Sequence, residues 1–208
     1  PHPIGILFLY LFGFYFLIIS LEIDYRLAII GAISFGFSSY FFIIIEAGHN
    51  TKAHSIGYLA PILASVLMVY RGKLFLGASL TALFSALMIN ANHLQITYYL
   101  VILLLVVGVV HLIKAINEKK FSLFLKQSVF LIVAGLLGSL TSSSKLLSTI
   151  EYGEQSIRGK SELTSNEEVK TTGLDKDYAT AWSYGLSESF TLLIPNFHGG
   201  ASNGALGT

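Results

Sequence analysis

The chain has 208 residues, 53% of them hydrophobic and 12% charged, about half the charged share of a soluble domain (~25%), so a water-soluble globular protein is excluded. The net charge is +1 and the charges form no basic stripe, which excludes nucleic acid as a partner. No cysteine is present, so disulfides and thiol chemistry are absent.

The sequence opens Pro1-His2-Pro3 without an initiator Met and closes in a glycine-rich stretch at Gly207-Thr208. It reads as an internal piece of a longer protein. A membrane helix needs about 20 apolar residues. Stretches free of Asp, Glu, Lys and Arg predict six spans, near 4–20, 27–45, 55–70, 74–90, 97–113 and 125–142. They must be helices, because an open strand leaves backbone amides unpaired in lipid. The runs are continuous rather than alternating, which argues against a β-barrel. The predicted fold is an all-α polytopic membrane protein, with a bundle over 1–144 and a polar outer tail over 145–208.

Lysine and arginine set the predicted orientation. Arg26, then Arg71 and Lys73, then Lys114, Lys119, Lys120 and Lys126 fall in one set of loops, and only Lys52 falls in the opposite set. The basic loops are expected at the cytoplasmic face of the membrane. The stretch Glu46–His54, the cluster Asn90–Gln95 and the tail then lie outside.

Small residues such as Gly31, Gly36, Gly77, Ala78, Ser79 and Ala82 predict close helix packing. Pro61 predicts a kink in the third span. Tyr10, Tyr40, Tyr58, Tyr70, Tyr98 and Tyr99 read as interfacial aromatics. In the tail, 161–173 is polar and reads as a loop, and Trp182–Phe197 reads as a segment lying on the bundle or in the interface.

Chemistry concentrates in Glu46, His49, Asn50, Lys52 and His54. If the second helix continues by a turn, Glu46, His49 and Asn50 share one face. A carboxylate and a neutral imidazole there can bind a divalent cation. Lys52 and the imidazoles can equally grip a phosphate, and Glu46 can act as a general base. The competing reading, at even odds, is a set of solvated turn residues that satisfy helix ends. Asn90, Asn92, His93 and Gln95 interrupt a 40-residue uncharged run. They predict either a wall that binds sugar hydroxyls or phosphate, or helix caps and interhelical hydrogen bonds. Arg158 and Lys160, with Glu151 and Glu154, can close over an anionic headgroup, although a solvated surface run is the simpler account. His111 reads as structural.

Several stretches carry a family resemblance: Ile45-Glu-Ala-Gly-His-Asn-Thr-Lys-Ala-His54, Tyr70-Arg-Gly-Lys73, Ile89-Asn-Ala-Asn-His93 with Gln95-Ile-Thr-Tyr-Tyr99, Arg158-Gly-Lys160, Ala181-Trp-Ser-Tyr-Gly185 and Phe190-Thr-Leu-Leu-Ile-Pro-Asn-Phe197. In these the chain resembles the YfhO-type bacterial membrane proteins over nearly its whole length. The resemblance implies about a dozen spans in the complete protein and a likeness to the GT-C glycosyltransferases. Such enzymes move a sugar from a polyprenyl-phosphate carrier to an acceptor at the outer face. It also implies a catalytic acidic residue in a first outer loop, upstream of Pro1. On this expectation Glu46 is base or metal ligand. His49, Lys52, His54, Arg158 and Lys160 hold the phosphate, and Asn50, Asn90, Asn92, His93 and Gln95 orient the sugar. Two alternatives stand beside it. One is a lipid-linked-sugar flippase using Ser34, Ser38, Ser39, Ser85 and Asn90 as a polar path. The other is a non-catalytic scaffold for envelope assembly.

Overall fold

The computed structural model describes residues 2–154, 180, 183, 185–192 and 197. The chain divides into two compact units, Pro1–Ser148 and Thr149–Thr208. The first holds helices α1 (Pro3–Ser20), α2 (Tyr25–Gly36), α3 (Ser39–Glu46), α4 (Asn50–Gly57), α5 (Leu59–Tyr70), α6 (Leu74–Asn90), α7 (Leu94–Asn117) and α8 (Phe121–Leu140), and α9 (Ser143–Glu154) runs across the division. Beyond α9 the described residues form one short 3-10 turn, Glu188–Leu192. No strand occurs among the described residues, as the all-α expectation requires. The predicted loop at 161–173 lies outside the described residues, as does much of 182–197.

Four helical stretches are long and apolar enough to cross a membrane: Pro3–Ser20, Asn50–Tyr70, Leu94–Asn117 and Phe121–Leu140. A fifth is the pair α2 and α3, bent by 43° at its break. Helix α6 is apolar but has 17 residues. The surface of α7 fits lipid rather than water. Only 11% of its apolar window is buried, and Val101, Leu105, Val109 and Ile113 all face outward. A soluble monomer rarely exposes so large an apolar surface.

The boundaries differ from the sequence expectation at several spans, α8 for instance running over Phe121–Leu140 rather than 125–142, and three of the differences have a cause on view. The predicted span 27–45 breaks at Phe37-Ser38. Gly36, Ser38 and Ser39 are weak helix formers, and glycine–serine sites are common kink points. The bend lets Phe35 and Phe41 both pack on Tyr10, at 6.3 and 4.3 Å between ring centroids. The span expected at 55–70 begins at Asn50, so most of the supposed Glu46–His54 loop is helix. Pro61 marks the junction between α4 and α5, because it has no N–H to offer the Gly57 carbonyl. The span expected at 97–113 extends to 94–117, because Lys114 in its last turn faces the negative end of the helix dipole.

Helices α1, α5, α6 and α8 pack side by side through small residues. A Cβ on Gly13 would stand 2.9 Å from the Pro61 ring, and one on Gly77 would stand 2.7 Å from the Ser65 carbonyl oxygen. One on Gly138 would stand 2.8 Å from the Ala82 carbonyl oxygen. Backbones approach this closely only where the side chain is missing. Gln127 of α8 is buried and donates to the Val69 carbonyl at 2.9 Å, satisfying a carbonyl in the last turn of α5. Tyr10 departs from the interfacial role expected of it. It is fully buried at mid-helix and donates to the Ala53 carbonyl at 2.8 Å.

Each tight turn between the long helices contains a residue with positive φ: Glu22, Gly48, Gly72, Asn92 and Lys119. In the turns after α3, α5 and α7 the next amide reaches back to the helix, as His49 N–H to Ile44, Lys73 N–H to Met68 and Lys120 N–H to Ala115. This is the Schellman closure of a helix C-terminus. Such turns reverse the chain within a few residues and segregate its charges. At one end, Arg71 Nη1 donates to the Ser20 carbonyl at 2.8 Å, bringing the turns after α1 and α5 together. The turns after α3 and α6 meet at the other end.

Candidate functional site

The polar end is built by α3, α4, the α6–α7 turn and the start of α9. Helix α3 stops at Glu46, and Ala47 and Gly48 turn the chain so that His49 becomes the N-cap of α4. Glu46, His49 and Asn50 therefore do not share a helix face, contrary to the expectation that the second helix continues. The turn intervenes because Gly48 adopts φ 75°, which a continuing helix cannot accommodate. All three side chains are exposed.

Lys52, one turn into α4, is half-buried and lies over the Tyr40 ring at 5.4 Å from its centroid. This cation–π contact pins the ammonium near the bundle. His93 caps α7 and is half-buried. Burial holds its imidazole below the ordinary value of 6.5, and the nearby charges of Lys52 and His49 push it the same way. Two clusters separated by about forty residues in sequence thus lie at the same end, with the Lys52 and His49 charges in electrostatic reach of His93.

His54 does not join them. It lies two residues after Lys52, about 200° round the helix, and is not among the groups acting on His93. Gln95 is engaged on its own helix, donating to Tyr99 Oη at 2.8 Å. Asn92 takes the left-handed position of the α6–α7 turn at φ 57°, which asparagine tolerates. Asn90 ends α6, and its backbone and side-chain oxygens both accept from Lys145 Nζ. Lys145 went unread in the sequence. The signal was available: it is the first cation after the last apolar run, on the side already assigned to Asn90. Arg158 and Lys160 lie outside the described residues.

Among the described residues no three His, Asp or Glu side chains converge as a metal site needs.

A groove of about 730 Å³ runs along α5, α6, α7 and α8, from Ile89 and Thr97 at the polar end to Tyr70 and Phe124. Its lining is almost wholly apolar. Thr97 Oγ1, at its head and one turn from His93, has no hydrogen-bond partner among the described residues. From Thr97 to Leu112 the groove follows α7 for about 22 Å, at 1.5 Å per residue. That is more than half of the ~30 Å hydrocarbon core.

Comparison with known proteins places the chain beside none of them: no protein-family model, curated protein or solved structure matches.

Proposed function

We propose that the protein is a six-span inner-membrane enzyme of the GT-C type, transferring a sugar from a polyprenyl-phosphate carrier to an envelope acceptor at the outer face. One observation carries the reading: a long apolar groove ends at Ile89 and Thr97, one turn from His93, which lies in electrostatic reach of Lys52 and His49. The groove suits an isoprenoid chain that reaches deeper than a single leaflet. Lys52, His49 and His93 suit the phosphate at its head, since a charge-assisted hydrogen bond is roughly twice as strong as a neutral one. Asn90, held by Lys145, and Asn50 would orient the sugar hydroxyls.

Glu46 is the carboxylate exposed at the same end. In transfer it accepts the proton of the acceptor hydroxyl as that oxygen attacks the anomeric carbon. The bond from that carbon to phosphate breaks, and polyprenyl phosphate leaves. The apolar lining of the groove favours a lipid chain over a polar cargo, so it disfavours a flippase path through the bundle.

The test is transfer from a polyprenyl-phosphate sugar by the full protein in proteoliposomes. Lys52→Gln and His93→Ala are expected to raise KM about tenfold each, and Glu46→Gln to lower kcat at least a hundredfold. Undiminished transfer by Glu46→Gln would remove the base assignment. Carrier movement across the bilayer without transfer would replace the enzyme with a flippase.

A further inference from the structure

We propose that the opposite, basic end of the bundle holds the phosphate headgroup of an anionic phospholipid, at a site separate from the polar end. A pocket of about 270 Å³ opens there between the ends of α5 and α7 and the start of α8. Arg71, Lys114 and Lys120 line it, and Glu118 is its one lining carboxylate. That carboxylate is shared by both lysines, at 2.9 Å from Lys120 and 3.9 Å from Lys114. The Lys120 hydrogen bond and charge hold the Glu118 carboxyl below its ordinary range, so it stays ionised and cannot relieve the pocket of more than one positive charge.

Arg71 gives one N–H to the Ser20 carbonyl and lies 3.9 Å from Glu22 on the rim. A guanidinium has five N–H donors, so others remain for a ligand. The C-terminal ends of α5 and α7 add partial negative charge, and the start of α8 adds partial positive charge. Positive charge stays in excess.

The surroundings select a lipid over a free anion. Ile116 and Leu123 beside the pocket are 57% and 51% exposed, and Ile113 on α7 continues the same apolar surface at 55%. Tyr70 closes the inner wall, stacked on His111 at 4.2 Å and on Phe124 at 5.8 Å between centroids. That wall separates the pocket from the long groove. A headgroup in the pocket therefore lays its acyl chains on the outside of α7 and α8, along their exposed apolar surface. Basic pockets between membrane helices are suited to such headgroups. This assignment rests neither on the transferase reading nor on which face is cytoplasmic.

The experiment titrates short-chain phosphatidylglycerol, and phosphatidylcholine in parallel, into the full protein in neutral maltoside detergent. Retained lipid is read by native mass spectrometry, with thermal stability as a second measure. Phosphatidylglycerol is expected to be retained and to raise the melting temperature, and phosphatidylcholine to do neither. K114Q/K120Q is expected to weaken retention roughly 25-fold, about fivefold per cation removed. K114R/K120R keeps the charge and retains the lipid, while E118Q binds about fivefold more tightly. These two variants keep the test sharp if K114Q/K120Q fails to fold. Equal retention of both lipids, or an unchanged affinity in E118Q, overturns the proposal. Displacement by inorganic phosphate at equal affinity overturns it too, in favour of a soluble-anion site.

Discussion

At the scale of single residues, the polar groups inside the bundle are the ones whose loss is measurable. Tyr10 is buried among Phe35, Phe41 and α4, and its hydroxyl has one partner, the Ala53 carbonyl. Tyr10→Phe keeps the ring and removes the bond, so it should cost about 0.5–2 kcal/mol, read from unfolding in detergent. An unchanged midpoint would show that the Ala53 carbonyl needs only its own helix. His93 gives a second test. Its pKa lies below 6.5, so it is neutral at pH 7. The unfolded chain protonates this imidazole first as pH falls. The stability that neutral His93 contributes is therefore complete above about 6.5 and is lost as pH drops towards its folded value. Lys52→Gln removes one of the opposing charges and should move the His93 titration upward, as followed by NMR of the imidazole. A titration that stays in place would separate the two clusters electrostatically and take Lys52 out of the site.

At the scale of elements, the turns and breaks were least legible in the sequence, because weak helix formers permit a break without fixing where it falls. Apolar runs exposed the long helices, since only continuous hydrophobicity of that length suits lipid. The break at Phe37 sits inside such a run, where Gly36, Ser38 and Ser39 permit it and the packing of two rings on Tyr10 accompanies it. Gly48 and Gly72 suit the left-handed conformation that they adopt, but Glu22 and Lys119 occupy it with side chains that do not favour it. These positions predict opposite responses. Gly72→Ala places a Cβ at φ 96° and should destabilise by about 1–2 kcal/mol. Lys119→Gly relieves the same strain and should be neutral or stabilising, offset only by the greater freedom of glycine in the unfolded chain. Thermal unfolding of the two variants side by side decides it, and a stabilised Gly72→Ala would count against the turn geometry. The site was legible in the same uneven way. Residue chemistry pointed to Glu46–His54 and Asn90–His93, but the meeting of Lys52 with His93 and of Lys145 with Asn90 depends on helix order, which no local pattern encodes.

At the scale of the whole molecule, the charge segregation makes a claim about sidedness. The turns after α5 and α7 carry Arg71, Lys73, Lys119 and Lys120, and the turns after α3 and α6 carry His49 and His93. If each long stretch crosses the bilayer and the 17-residue α6 also crosses, these two sets face opposite compartments, with the basic set inside. A helix of 17 residues spans about 26 Å, short of the ~30 Å core, so it crosses with local thinning of the bilayer or with its flanking Lys73 and Asn90 reaching to the interface. These 208 residues hold no cysteine, so a thiol introduced among them is read against the unsubstituted protein as background. Ala47→Cys lies in the turn after α3 and Asn117→Cys at the end of α7, both exposed and outside the proposed chemistry. A membrane-impermeant maleimide applied to intact cells should label Ala47→Cys at once and Asn117→Cys only after permeabilisation. Labelling of both from outside would mean that α4–α5 and α7 do not each cross with α6 between them, and α6 would then be a re-entrant helix. The groove between α6, α7 and α8 would lose its membrane-spanning depth, and with it the argument for a long isoprenoid chain.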